Sequence, residues 1–216
     1  YHLLSKKDGG LAPRQRRTEC GGNSEKMTSG MLMEFNFQDE ELRLLAETGT
    51  GVTHCPISNM KLSSGICRIP DMLKLDVPVG LAVDGSASND GSNLLEELRV
   101  AFLLHRLNSS SHALSGYDIL KIATNGSAKI LGRNDIGSLA VGKAGDMFLI
   151  RRDRLDLIGA DLDVKSMLGT FGLKGSVDYT IVNGKMVVEN GHLVNIDEEK
   201  FISEGRKSVT DYLSRS

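Results

Sequence analysis

One stretch constrains this chain more than any other: VPVGLAVDGSASNDGSN, from Val77 to Asn93. Apolar residues run through Val77, Val79, Leu81, Ala82 and Val83, and the chain then drops into Asp84 and a loop of Gly, Ser and Asn. A short apolar run bounded by turn residues reads as a buried strand, and the loop ends where a helix begins, near Ser92. A single acid at the carboxyl end of a buried strand, facing a polar loop, is where parallel α/β barrels place their chemistry. Asp84 is therefore the leading candidate for a catalytic and metal-binding carboxylate. The ordinary alternative is a helix-cap or turn aspartate.

The chain around this stretch alternates. DEELRLLAETG has an acid-rich first turn, Leu42, Leu45 and Ala46 on one face, and Gly49 as a stop, which predicts an amphipathic helix. Gly51 to Cys55 predicts a strand closed by Pro56, and PISNMKLSSGICRIP reads as a connection too polar for a core element. PDMLKLD predicts a turn or two of helix from Pro70. After the Asp84 strand, apolar positions 94, 95, 98, 101, 102 and 104 recur at helical spacing, and GYDILKIATNGSAKILG holds a second helix and a short third one. Helix, strand, helix, strand, helices is the order of a parallel sheet wrapped by helices.

Beyond Gly132 the character changes. A strand is predicted from about Asp146 to Ile150, and VDYTIVNGKMVVENGHLV reads as a hairpin turning at Asn183-Gly184, with a second turn at Asn190-Gly191. A terminal helix from Asp197 to Leu213 is expected to pack through Phe201, Ile202, Val209, Tyr212 and Leu213. Residues 1–37 form an irregular segment, 38–135 the parallel α/β part, and 136–216 a β-rich part closed by a helix. In the first of these, residues 5–30 carry six basic and three acidic side chains and almost no apolar ones. That composition predicts a disordered or loosely attached segment.

His54 ends the strand before Asp84, so an imidazole and a carboxylate would face the same end of the sheet. His54 reads either as a direct binding residue or as a buried, hydrogen-bonded support. Ser58, Asn59 and Lys61 follow on a loop within reach of a polar ligand, and Ser86, Ser88, Asn89 and Asp90 share that status. His105, on the apolar face of its helix, reads as a core histidine; His112 and His192 read as surface residues. Cys55 is a weak candidate nucleophile, because adjacent strand residues point to opposite faces and His54 cannot serve it as a base.

A net charge of −2 gives no footprint for nucleic acid or an anionic membrane. No apolar run approaches the roughly 18 residues of a membrane span. Three sparse cysteines, Cys20, Cys55 and Cys67, without metal-ligand spacing fit reduced thiols in a cytoplasmic protein.

Four segments together carry a family resemblance: HCPISNMKLSSG, VPVGLAVDGSASND, ATNGSAKILGRNDIGSLAVGKAGDMFLI and VDYTIVNGKMVVENGHLV. In this order they resemble the amidohydrolase superfamily, in the branch of deaminases and chlorohydrolases acting on purines and triazines. HCP, RLDLIGADLD and DYTIVNGK are most similar to 8-oxoguanine deaminases and hydroxyatrazine-type aminohydrolases. The resemblance implies a metal-dependent (β/α)8 barrel with a small β-sandwich, of which this chain would hold the carboxyl-terminal part. It implies that the Asp84 strand is the eighth barrel strand and the His54 strand the seventh. Asp84 would then be metal ligand and proton shuttle, and His54, Ser58 and Asn59 would contact substrate. The implied reaction is hydrolytic deamination of a purine- or triazine-like ring, with Zn2+ or Fe2+ as the metal and a small heterocycle as the partner.

The sequence also departs from the family. The HxH motif of the first strand, the first four strands and the amino-terminal half of the sandwich are missing, and the glutamate expected three residues after His2 is Ser5. Before DEEL, where a strand-six histidine belongs, the chain reads GMLMEFNFQ. One frame over, Met27-Thr28 forces Asp and Met33-Glu34 forces Gly, and the junctions between them permit the family's His. A frame-shifted segment before Gln38 is therefore expected, and codons that cannot encode His at the Leu32–Met33 junction would refute it. Three functional readings follow: an aminohydrolase incomplete or weak as this chain, a non-catalytic remnant or binding module, and a subunit completed by a partner chain. Open strand edges predict self-association of the chain.

Overall fold

The structure is a computed structural model and describes residues 31–32, 37–109 and 113–215. The segment of residues 5–30, the frame-shift reading and His112 fall largely or wholly outside the described residues. The first element, β1 (Met31–Leu32), lies inside the 1–37 segment and pairs in parallel with β2 (Gly51–His54). β2 in turn pairs in parallel with β3 (Val79–Leu81), giving a three-stranded sheet in sequence order.

Local chemistry accounts for the helices between these strands. α1 (Asp39–Thr48) opens on three acids that complement the helix amino terminus, and the Gln38 amide donates back to Glu41 Oε2 at 2.7 Å. It stops at Gly49, which takes a left-handed φ of 66°. Leu42 and Leu45 face the sheet with Val52, Ile69, Met72, Val77 and Val79, all buried in one apolar cluster. Each such side chain contributes about 1.5–3 kcal/mol by leaving water.

The polar connection expected after Pro56 is instead helical. α2 (Pro56–Lys61) begins on Pro56, which occupies the first helical position, where its missing N–H costs nothing. Pro56 starts this helix as well as ending the strand, and the polar Ser58 and Asn59 are buried. α3 (Ile69–Lys74) follows and returns the chain to β3.

Beyond the Asp84 loop runs α4 (Leu94–Asn108), capped by Asn93, whose side chain accepts from the Leu95 amide at 3.1 Å. The second and third predicted helices are one continuous rod. α5 (Gly116–Lys121) passes through a π-helical segment, Ile122–Gly126, into α6 (Ser127–Ile130). This rod lies on β3. A Cβ added to Gly126 would fall 2.0 Å from the Val79 carbonyl oxygen, and the Leu81 amide donates to Ser127 Oγ at 3.2 Å. Part of the β3 edge left without a strand neighbour is therefore satisfied by a serine side chain.

The second sheet is a four-stranded antiparallel meander of β4 (Met147–Leu149), β5 (Tyr179–Val182), β6 (Lys185–Glu189) and β7 (His192–Leu193). Asn183 and Gly184, at φ 49° and 75°, make the predicted two-residue turn, and Asn190-Gly191 makes the next at 51° and 82°. Between β4 and β5 the chain leaves the meander. Leu157, Ala160 and the short α7 (Met167–Thr170) join the core of the parallel part, against α4 and α5. The last helix, α8 (Glu198–Leu213), is capped by Asp197 but buries none of its residues. Phe201, Ile202, Val209, Tyr212 and Leu213, expected to be packed, are instead 53–75% exposed among the described residues. No helix among the described residues is long and apolar enough to cross a membrane.

Candidate active site

Asp84 leaves β3 three residues after Leu81 and takes a left-handed φ of 68°, a conformation aspartate tolerates better than most residues. Its Oδ2 accepts two hydroxyl hydrogen bonds, from Ser58 Oγ at 2.5 Å and from Ser88 Oγ at 2.6 Å. Burial pushes its pKa upward, but the two serines and the Gly85 amide outweigh that and hold it below the usual aspartate value. The carboxylate is therefore ionised at neutral pH and pinned by donors from two segments.

Those donors sit on α2 and on the loop after β3. Ser58 is 1% and Ser88 5% exposed. Lys61, one helical turn past Ser58, reaches across to Asp90 at 2.5 Å and to the Ala87 carbonyl at 3.3 Å. The same junction holds a residue that sequence reasoning passed over. Glu97, on α4, is fully buried. Its Oε2 accepts from the Ile57 amide at 3.2 Å and its Oε1 from Asn89 Nδ2 at 2.5 Å. Burial raises its pKa; the Ile57 and Asn89 hydrogen bonds work against this, the charges of Glu96 and Asp84 add to it, and the result is about 7. Glu97 falls on one stripe of α4 with Ala101 and Leu104, four and seven residues on, and its charge masks that spacing.

His54 points into the protein. It is 2% exposed, and its Nε2 lies 3.2 Å from Nε2 of His105, which is itself fully buried, as its place on the apolar face of α4 predicted. One ring donates and the other accepts. Neither Nδ1 has a hydrogen-bond partner among the described residues. Burial, with His105 adding a smaller effect, lowers the His54 pKa to about 3, and burial lowers that of His105 to about 4, so both imidazoles are neutral at pH 7. Asn59 is buried on α2, 6% exposed. Cys55 is a buried free thiol whose pKa is pushed up to about 12, first by burial and then by the charges of Asp84 and Glu97, which leaves no thiolate for nucleophilic attack near neutrality. His192 is at the surface, 3.2 Å from Glu198.

Ser58 and Asp84 are thus brought together directly, whereas His54 is paired with His105 and Asn59 is buried on α2. Two surface hollows, one lined by α1 and α3 and the other by α8, include none of these residues. A divalent metal needs three or more protein ligands in a tetrahedral site. Among the described residues no three His, Cys, Asp or Glu side chains converge to hold one. Asp84 offers a single carboxylate, one oxygen of which already accepts hydrogen bonds from two serine hydroxyls, and His54 is committed to His105. The described residues alone do not fit a complete metal site.

Comparison with known proteins supplies the context for this arrangement. The chain is 43% identical over 167 residues to hydroxydechloroatrazine ethylaminohydrolase of Pseudomonas sp. strain ADP, a match covering 76% of this chain and 35% of that protein. It is 39% identical over 176 residues to 8-oxoguanine deaminase of Pseudomonas aeruginosa, covering 82% and 39%. Among solved structures it superposes on the zinc complex of atrazine chlorohydrolase TrzN from Arthrobacter aurescens with a TM-score of 0.75 and 34% identity, over 81% of this chain and 39% of that one. A zinc-bound adenosine deaminase from Xanthomonas campestris matches at TM-score 0.74 and 30% identity, over 82% and 40%. The chain thus spans roughly two-fifths of the length of these relatives, and its parallel sheet with its helices is part of a (β/α)8 barrel. The model of one family matches residues 14–187, starting inside the 1–37 segment and running through the Asp84 site into β6, and by that match the chain belongs to the amidohydrolase family.

Proposed function

We propose that this chain carries the carboxylate corner of a site that hydrolyses a carbon–nitrogen bond in a small purine- or triazine-like heterocycle. The observation that carries this reading is Asp84, ionised and held by Ser58 and Ser88 at the end of a barrel strand. A fixed carboxylate there can take the proton of an attacking water and return it to a departing amine, the general acid–base role. Ser58 and Ser88 orient it, and the buried His54 and Asn59 belong to the same strand-end and helix that lead to Ser58. The zinc complexes of the related chlorohydrolase and adenosine deaminase favour Zn2+ over Fe2+ as the family's metal. In this chain the remaining ligands must come from outside the described residues or from a partner chain.

The lack of a converging ligand set favours a second reading, in which the chain alone is a silent remnant or one half of a site. Both are tested by following ammonia or ethylamine release from 8-oxoguanine, 5'-deoxyadenosine and hydroxydechloroatrazine in the presence of zinc. The purified chain should turn over none of them. Co-expression with the amino-terminal barrel portion of the Pseudomonas aeruginosa relative should restore release, and Asp84→Ala should abolish it. Turnover by the chain alone would overturn its incompleteness, and turnover indifferent to Asp84→Ala would overturn the role of Asp84.

A further inference from the structure

We infer that Glu97 is the positioning residue of the Asp84 site, its one carboxylate fastening both segments that deliver hydroxyls to Asp84. The inference rests on the reading of Asp84 given above. Glu97 belongs to α4, a third element that supplies neither serine. Its Oε2 holds the amide of Ile57, the residue before Ser58; its Oε1 holds the side chain of Asn89, the residue after Ser88. A displacement of either oxygen is thus passed to a serine one residue away, and from there to Asp84 Oδ2.

The polarity of this clamp is fixed. Asn89 Oδ1 accepts from the Gly91 amide at 3.2 Å, so its Nδ2 must face Glu97, and the Ile57 amide can only donate. Two donors converge on residue 97, which demands two acceptor oxygens and excludes a carboxamide. Burying a carboxylate completely is costly, and a side chain that merely filled this volume would be apolar. The Ile57 contact also bears on how α2, a helix of six residues with no side-chain cap of its own, holds its place: Glu97 caps it from another element.

The test is a donor–acceptor reversal in the full chain. Glu97→Gln presents an NH2 to one of two donors and breaks one arm. Asn89→Asp sets a second carboxylate against Glu97 and breaks the other. Combined, they restore both arms, with the polarity of the arm between positions 97 and 89 reversed. The carboxamide now at position 97 donates to the carboxylate now at position 89 and accepts from the Ile57 amide, and that carboxylate still accepts from the Gly91 amide. The readouts are the 13C signal of the Asp84 carboxyl at one fixed neutral pH and the exchange rate of the Ile57 amide, calibrated against Ser58→Ala and Ser88→Ala. Each single variant should move the Asp84 signal in the direction of the serine variants, and E97Q should speed Ile57 exchange about tenfold, the order expected for one lost hydrogen bond. The double variant should return both readouts towards the parent. A Glu97→Gln chain that melts earlier with its Asp84 signal unmoved would reduce Glu97 to a structural role and overturn the inference. Should the single variants fail to fold, a double variant that folds with the parental Asp84 signal supports it, and one that does not overturns it. Failure to hydrolyse any substrate would count against the proposed function and leave these signals untouched.

Discussion

His54 and His105 are neutral inside the fold, with pKa values near 3 and 4 against 6.5 in an unfolded chain. Between about pH 6.5 and 4 the unfolded chain therefore binds more protons at these two positions than the folded one, and stability falls as pH falls. Glu97 acts the other way. Its pKa, raised from 4.5 to about 7, makes the folded chain the better proton binder between those values, so its contribution is lost as pH rises through 7. Two histidines outweigh one glutamate, so the urea midpoint should drop on acidification from pH 6.5 to 4.5. In His54→Leu/His105→Leu the limb should flatten, because Glu97 then offsets the carboxylates held low, such as Asp84. An acid limb identical to the parent's would show that the histidine pair does not set it. Of these groups His105 was legible from its place on an apolar helix face. Glu97 was not, because a charged residue on an amphipathic helix ordinarily faces water, and only the docking of α2 and the Asp84 loop over α4 buries it.

Elements built from local rules were readable and those built from contacts were less so. α1 announces itself by an acidic start and a glycine stop, and β5–β6 by Asn-Gly, because each signal acts within a few residues. α2 was hidden because Pro56 ends a strand and starts a helix at once, and because Ser58 and Asn59 are buried by partners that lie elsewhere in the chain. The rod of α5, the π segment and α6 is the clearest case of long-range fitting. Gly126 brings its backbone so close to β3 that any side chain would overlap the Val79 carbonyl. Gly126→Ala should therefore cost about 2–3 kcal/mol by forcing the rod off the sheet. Its helical φ of −64° means that no relief of backbone strain confuses the measurement. Denaturant unfolding of the pair measures the cost, and a difference under about 0.5 kcal/mol, the range of neutral surface changes, would refute the contact.

Over the molecule as a whole, apolar surface is left uncovered in a definite place. α8 turns Phe201, Ile202, Val209 and Tyr212 outward at 53–75% exposure, along one seam with Gly205 between them, and none of its residues is buried. The seam is the amphipathic signal that predicted a packed helix. The terminal helix forms as predicted, but the surface expected to cover its apolar side chains does not lie among the described residues. The chain spans only about two-fifths of its relatives, and among the described residues nothing covers this face of α8, whereas β2 and β3 are buried. Contiguous exposed apolar surface drives association. Sedimentation velocity should accordingly show concentration-dependent self-association of the purified chain. Phe201→Ser/Val209→Ser/Tyr212→Ser should suppress it while changing the unfolding free energy by less than about 0.5 kcal/mol per site, since these side chains pack against little in the fold. A clean monomer at all concentrations would remove the premise. Loss of several kcal/mol in the triple variant would mean that α8 is packed after all, and that its seam is part of the core.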